Sequence, residues 1–298
     1  MSAHTFIRSI PVLPWASRIS ALISAAIVFA IFIFLFWFCL PLFNTDTLSQ
    51  LLTWDWRPFQ GQFGILAMVT GSLLLAFSSV LVAFPIAIGI CCFIHGLGPR
   101  PLAKLVLRAV KLMTSVPTVV YGFVGVFVLV PLLRDIFHHG SGFSCLAAII
   151  GLAGLVLPTI VLMLHSQFIL VEPQIRNAAD ALGISPAQRL LHLVIPASKK
   201  GFAAAAILGF GRAIGDTMIP LMLAGNAAQI PGSLLDSIRT MTAHIALVIA
   251  ADSQSLTYLS LFACGLILFL ITILINLGLY FFSRPQSNTR MQKSWESK

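Results

Sequence analysis

Charge is what this 298-residue chain has least of: 9% of its residues are Asp, Glu, Lys or Arg, against 58% hydrophobic. A soluble domain carries about a quarter charged residues, because its surface must face water. A cytosolic enzyme, a disordered chain and a small disulfide-bonded secreted domain are thereby excluded. The dipeptide Gly-Lys never occurs, so there is no G-x-x-x-x-G-K-[ST] loop to cradle nucleotide phosphates. H-E-x-x-H is missing as well, and no Ser/His or Cys/His arrangement sits at matched depth in two apolar stretches. Five cysteines (Cys39, Cys91, Cys92, Cys145, Cys264) fall within or at the ends of apolar runs without metal-ligand spacing, and are expected to be small buried residues. His138 and His139 have no companion ligands nearby in sequence, so neither a metal nor a cofactor is expected.

Long apolar runs are what the chain does have. A hydrocarbon core of about 30 Å takes roughly 20 apolar residues in a helix. Six stretches qualify, at 19–43, 65–94, 110–133, 145–170, 202–226 and 256–282. The expected fold class is therefore all-α, a polytopic bundle of six transmembrane helices. The first run is too long for a signal-peptide core and no small-x-small site follows it, so it is expected to stay as an anchor. Residues 1–18 would precede it, 19–60 would hold the first span and an outer loop, 61–283 the core and 284–298 a tail. Between the fifth and sixth runs, Leu234, Leu235, Ile238, Met241 and Ile245 recur at helical spacing, which predicts an outer interfacial helix over 233–251.

Basic residues set the orientation. Arg8 and Arg18, then Arg100, Lys104, Arg108 and Lys111, then Arg176, Arg189, Lys199 and Lys200, then Arg284, Arg290, Lys293 and Lys298 all lie on one set of alternating connections. The other set holds Arg57, Arg134 and Arg239. By the positive-inside rule both termini face the cytoplasm. The formal net charge of +9 is thus a topology signal, helped by anionic lipid headgroups, and nucleic-acid binding is a poor reading.

The inner connection 171–201 is longer than joining two spans requires. Pro173 suits the first turn of a helix, the run 174–182 favours one, and Gly183 can stop it. Ser185-Pro186-Ala187-Gln188 then forms a capping box, which predicts a second short helix through Leu190, Leu191 and Val194 ending before Pro196. Two short helices pivoted on a glycine make a knob suited to docking a partner.

Arg212 and Asp216 lie deep in the fifth run. An ionised group at a helix centre costs about 2.5–3.5 kcal/mol, so such residues are retained when they pair or face a cavity. Four residues apart on a helix they share a face, and Gly211 with Gly215 invites close approach by a neighbouring helix. Either they form a structural ion pair or Arg212 recruits an oxyanion by bidentate hydrogen bonds, with Asp216 orienting it. Thr114, Ser115, Thr118 and Tyr121 flank Pro117 in the third run, where a kink frees carbonyls to line a cavity. Thr70, Ser72, Ser78 and Ser79 with Pro85 are a weaker lining set, and His165 with Gln167 reads as interfacial.

The 171–201 loop resembles the coupling loop of ABC-importer permeases, whose pattern is E-A-A, three residues, Gly, nine residues, I-x-L-P. Here the chain reads Asn177-Ala178-Ala179, then Gly183, then Leu193-Val194-Ile195-Pro196, with Asn177 where the family carries Glu. The strings FGILAMVTGSL (63–73), SVPTVVYGFVGVFVLVPLL (115–133), GFGRAIGDT (209–217) and RTMTAHIA (239–246) resemble the phosphate-specific (Pst) permeases, the PstC-type subunit more than the PstA-type. The resemblance implies a type I importer permease bundle in the inner membrane that moves inorganic phosphate. It implies three partners: a second homologous permease, a cytoplasmic ATPase dimer and an extracytoplasmic phosphate-binding protein. It also matches Arg212 to an arginine associated with transport, and Asp216 to a position usually held by Glu. Two readings stay open beside it: a permease for another oxyanion such as molybdate or sulfate, and an intramembrane enzyme acting on lipid phosphates.

Overall fold

The computed structural model describes residues 12–43, 49–138, 140–249 and 255–283. Within them the regular secondary structure is helical apart from a two-stranded ribbon, β1 (Trp56–Arg57) with β2 (Gln62–Phe63). Five helices are long and apolar enough to cross a membrane. The expected terminal segments 1–18 and 284–298 lie largely or wholly outside the described residues.

Helix α1 (Val12–Cys39) starts ahead of the expected position 19 and is apolar all round. None of its most apolar stretch is buried by the rest of the chain. A helix hydrophobic on every side and unburied by protein is one that lipid solvates. Helix α2 (Leu66–Cys92) continues through a π turn, Phe93–Leu97, and keeps Pro85 inside it.

The third span differs from expectation. Residues 100–113 form a separate amphipathic helix, α3 (Arg100–Met113), and the span proper begins at Thr118. It comprises α4 (Thr118–Val124), a π turn at Gly125–Leu129 and α5 (Val130–Phe137). The reason is Pro117, whose fixed φ and missing N–H suit a helix start better than a helix interior; it sits extended just before α4 rather than kinking a continuous span. Thr114 and Ser115 therefore lie in the connection, outside the span.

Helix α6 (Cys145–Ala181) is the central mast, with Ser144 capping its start by accepting the Ala147 N–H at 3.2 Å. It packs against α2 and against α9 (Lys199–Ile214), and 61% of its most apolar stretch is buried. At 1.5 Å per residue its 37 residues extend about 55 Å, well beyond a hydrocarbon core of about 30 Å. Pro173 lies inside this helix, so the expected fresh start there is not made; the first half of the knob is the end of the mast. The second half is α7 (Pro186–Arg189), a π turn (Leu190–Val194) and α8 (Ile195–Ala197), which passes through Pro196 instead of ending before it.

After a 70° bend at Ser198 the chain enters α9. The expected fifth span is broken: α9 stops at Ile214, and the short α10 (Met218–Leu223) begins after three intervening residues. The expected outer helix over 233–251 is likewise only α11 (Met241–Val248), and Met241 to His244 are buried against the bundle rather than lying on its surface. Residues 233–240 are irregular because their backbone is spent elsewhere: Cys145 N–H donates to the Asp236 carbonyl and Leu146 N–H to that of Leu234, both at 2.8 Å. Helix α12 (Leu256–Ser283) closes the bundle against α1 and α9.

Candidate functional site

Two places combine polar chemistry with a break in helical regularity. The first is the interruption of the fifth span. Gly215 caps α9, so Arg212 and Asp216 do not share one continuous helix. Asp216 is 9% exposed and points forward: its Oδ2 accepts the Ile219 N–H at 2.9 Å, the bond by which a carboxylate caps a helix start. No carboxylate lies within 4.0 Å of Arg212 among the described residues, so the expected ion pair is not made. Asp216 finds a nearer donor in α10, the Ile219 N–H.

Arg212 is exposed, its guanidinium within electrostatic reach of Asp216 and Tyr121. Tyr121 is half-buried and donates its hydroxyl to the Met113 carbonyl at 3.0 Å, bridging the end of α3 to α4. Thr118 opens α4 one turn before Tyr121, also half-buried. The structure thus gathers Arg212, Asp216 and Tyr121, with Thr118 adjacent along the helix. Close packing of α10 on α4 holds this arrangement. A Cβ at Gly122 would fall 2.6 Å from the Met222 sulfur, and one at Gly125 2.7 Å from Leu223, so any side chain there would have to push these two aside. Of the other glycines noted in sequence, Gly211 lies close to Ile275 of α12, whereas Gly215 meets no neighbouring helix.

Sequence reasoning missed what covers the break. Thr242 donates its hydroxyl to the Asp216 carbonyl at 2.9 Å, and Met241 N–H donates to Ser72 Oγ at 2.8 Å. Helix α11 is therefore a plug pinned across the interruption and onto α2. The signal was present as two separate strings, GFGRAIGDT and RTMTAHIA, whose juxtaposition no spacing rule reveals. Within the plug His244 is fully buried, edge-on to Trp56 at 4.5 Å and bonded through Nε2 to Ser260 Oγ at 2.9 Å. Burial, reinforced by the Arg239 charge, pushes its pKa down to about 3.

The second place is the knob. Gly183 adopts φ +69°, and Ile184 N–H reaches back to the Ala179 carbonyl at 3.0 Å, the left-handed closure that ends a helix. The Ser185–Gln188 capping box forms as expected, with Gln188 N–H on Ser185 Oγ at 3.3 Å and Ser185 N–H on Gln188 Oε1 at 3.1 Å. Asn177, Ala178, Gly183 and Pro196 are exposed on the knob, whereas Ala179 is buried. Leu182 at the tip is exposed as well.

What fastens the knob was invisible in sequence. Arg189 is 8% exposed and donates to Asp180 Oδ1 at 2.7 Å and Glu172 Oε1 at 3.2 Å. Both carboxylates lie on the last turns of α6, so Arg189 ties the second half of the knob back to the end of the mast. Glu172 also faces His95 Nδ1 at 3.5 Å, and His95 Nε2 lies 2.8 Å from His165 Nδ1. His165 is thus part of a polar chain joining the turn after α2, α6 and the knob. A charge seventeen residues from its partner across two turns leaves no periodic trace.

The cysteines are all buried and free, as expected. No group of three or more His, Cys, Asp or Glu positioned for a metal occurs among the described residues.

Apolar spans around an interrupted, polar one, with a knob continuing the longest helix, make this a polytopic membrane protein of the permease class. The chain belongs to the family of binding-protein-dependent transport system inner membrane components, whose profile matches residues 93–286. The phosphate transport system permease protein PstC of Mesorhizobium japonicum is 33% identical over 253 residues, covering 78% of this chain and 77% of the relative. A probable ABC transporter permease protein, YqgH, of Bacillus subtilis is 30% identical, covering 80% and 79%. Among solved structures, a chain of a bacterial alginate ABC transporter, in complex with a pentasaccharide-bound periplasmic protein, superposes with a TM-score of 0.62 over 94% of this chain and 95% of that one, at 15% identity. A chain of the inward-facing MetNI methionine ABC transporter gives 0.56 over 77% and 100%, at 18% identity. The all-α importer-permease fold is therefore shown, and the intramembrane-enzyme reading falls away: the chain is a transport subunit.

Proposed function

We propose that the chain is one permease half of an ATP-driven importer for inorganic phosphate in the inner membrane, with both termini cytoplasmic. The observation that carries this reading is Arg212: an exposed guanidinium at an interruption of the fifth span, with its carboxylate neighbour turned away to cap α10. A planar cation left without a carboxylate at membrane depth offers bidentate donors to a tetrahedral oxyanion. Tyr121 and Thr118 supply hydroxyls along the same path, and Asp216 moderates the local charge. The PstC relatives are named for phosphate transport, which favours phosphate over molybdate or sulfate.

The knob from 172 to 197 is the lever. Asn177, Ala178, Gly183 and Pro196, with the Leu182 tip, would meet a cytoplasmic ATPase, while buried Ala179 packs the knob's interior. A second permease, a dimer of that ATPase and an extracytoplasmic phosphate-binding protein complete the assembly. Because α6 runs unbroken from the bundle core into the knob, a displacement at the tip reaches the broken span as a rigid-body rotation.

Labelled-phosphate uptake by cells expressing the whole transporter tests the site. Arg212→Ala is expected to lower uptake about 100-fold, the loss of one or two charge-assisted hydrogen bonds, while the protein still reaches the membrane. Uptake within twofold of the unsubstituted protein removes Arg212 from the path. Competition by molybdate or sulfate stronger than by phosphate reassigns the anion.

A further inference from the structure

Helix α3 was absorbed by neither the bundle nor the lever. Arg100, Lys104, Arg108 and Lys111 recur at intervals of four, four and three, which places all four on one stripe. Ala103 and Val110 on another face are buried against the π turn after α2 and against α6. The remaining face carries Leu102, Leu105 and Leu112, each half or more exposed. Three faces of one helix thus have three environments: protein, unpaired cation and uncovered hydrocarbon.

None of the four basic side chains has a carboxylate within 4.0 Å among the described residues. At the head of the stripe Arg100 and Lys104 line a cleft of about 500 Å3 shared with Arg176 and Arg189 of the knob region. The carboxylates in that cleft, Glu172 and Asp180, are already engaged by Arg189, and Asp180 also by Arg176 at 3.6 Å. The cleft therefore presents surplus positive charge beside exposed leucines, at the end of a membrane-spanning helix. A ligand complementary to it carries a phosphate or similar anion joined to long apolar chains.

We propose that α3 is an interfacial docking surface for an anionic phospholipid, its headgroup phosphate held by Arg100 and Lys104 at the cleft and its acyl chains against Leu102, Leu105 and Leu112. Cationic side chains near an anionic leaflet are attracted individually and the attractions accumulate. The lipid ties α3 to the leaflet, and α3 contacts both the mast and the turn that meets the knob, so the lipid sits where it can set the knob's resting position. The inference rests on the membrane reading of the fold and, for which leaflet is meant, on the proposed orientation. It does not depend on which anion is carried.

Native mass spectrometry of the full-length chain in a neutral detergent tests it, with phosphatidylglycerol and phosphatidylcholine of identical acyl chains as the added lipids. Phosphatidylglycerol is expected to be retained on the order of tenfold more. The variant Arg100→Gln/Lys104→Gln/Arg108→Gln/Lys111→Gln, changed only at exposed positions, should lose that preference, and Arg100→Lys/Arg108→Lys should keep it. Equal retention of the two lipids by the unsubstituted chain, or an undiminished preference in the four-site variant, overturns the proposal. So does displacement of bound phosphatidylglycerol by added inorganic phosphate, which would mark a free-anion site. The uptake competition above reports on the transported anion separately, so either reading can fail without the other.

Discussion

The knob and the broken span are both irregular and both built around an arginine, yet they differ in whether that arginine is satisfied. Arg189 is buried and holds two carboxylates of its own chain, closing its hydrogen bonds locally. Arg212 is exposed, and the carboxylate four residues away serves another donor. A buried cation must be paired to persist; the exposed Arg212 is under no such constraint, and in the proposed function it is the group that meets the oxyanion. The difference predicts that stability and transport separate between the two sites.

The largest effect is at Arg212, where the proposed 100-fold loss of uptake should come with an unchanged melting temperature in detergent. Arg189→Ala should do the reverse: it takes from Glu172 and Asp180 the guanidinium that holds both. Removing one partner of a buried pair costs about 3–5 kcal/mol; the partner carboxylates here are partly solvated, 27% and 52% exposed, so about 2 kcal/mol is the better figure. A scanning melt of the purified chain reads this directly. A melt for Arg189→Ala that overlays the unsubstituted protein's would mean the clasp is ornamental, and the contrast between the two arginines would dissolve.

Sequence reasoning reached different depths at these two sites for a physical reason. Spans, the capping box and the glycine stop at 183 are local: periodicity, a four-residue motif and a single φ preference fix them. Hydropathy makes the third and fifth spans look continuous because it counts apolar residues and does not see that Pro117 precedes a helix start or that Gly215 ends one. Arg212, Asp216 and Tyr121 are legible as residue types, but the contact expected between the first two rests on an i, i+4 geometry that ends with α9. The bonds of Arg189, Glu172, His95 and Thr242 leave no trace in sequence because their partners lie 9 to 77 residues away, and only packing brings them together.

His244 extends the comparison to the plug above the break. Folded, it stays neutral down to about pH 3; unfolded, it takes up a proton near pH 6.5. Its contribution to stability is therefore complete above about pH 6.5 and declines as the pH falls toward 3, because only the unfolded chain gains the proton. The slope is about 1.4 kcal/mol per pH unit at most in that window. Melting temperature should thus fall between pH 7 and about pH 5, and His244→Gln should flatten the fall. A variant that melts with the same pH dependence would assign the effect to other groups.

The smallest effect separates two roles for Asp216. If its carboxylate chiefly caps α10, then Asp216→Asn preserves the capping oxygen and leaves the melt unchanged, while Asp216→Ala costs about 1 kcal/mol. If instead its charge is needed beside Arg212, Asp216→Asn alters uptake without altering stability, because a neutral neighbour leaves the guanidinium more attractive to an anion and slower to release it. Measuring uptake and melting on the same two variants therefore distinguishes a helix cap from a counter-charge. Asn equal to Asp in both assays reduces Asp216 to the cap, and leaves Arg212 the sole charged residue of the proposed path.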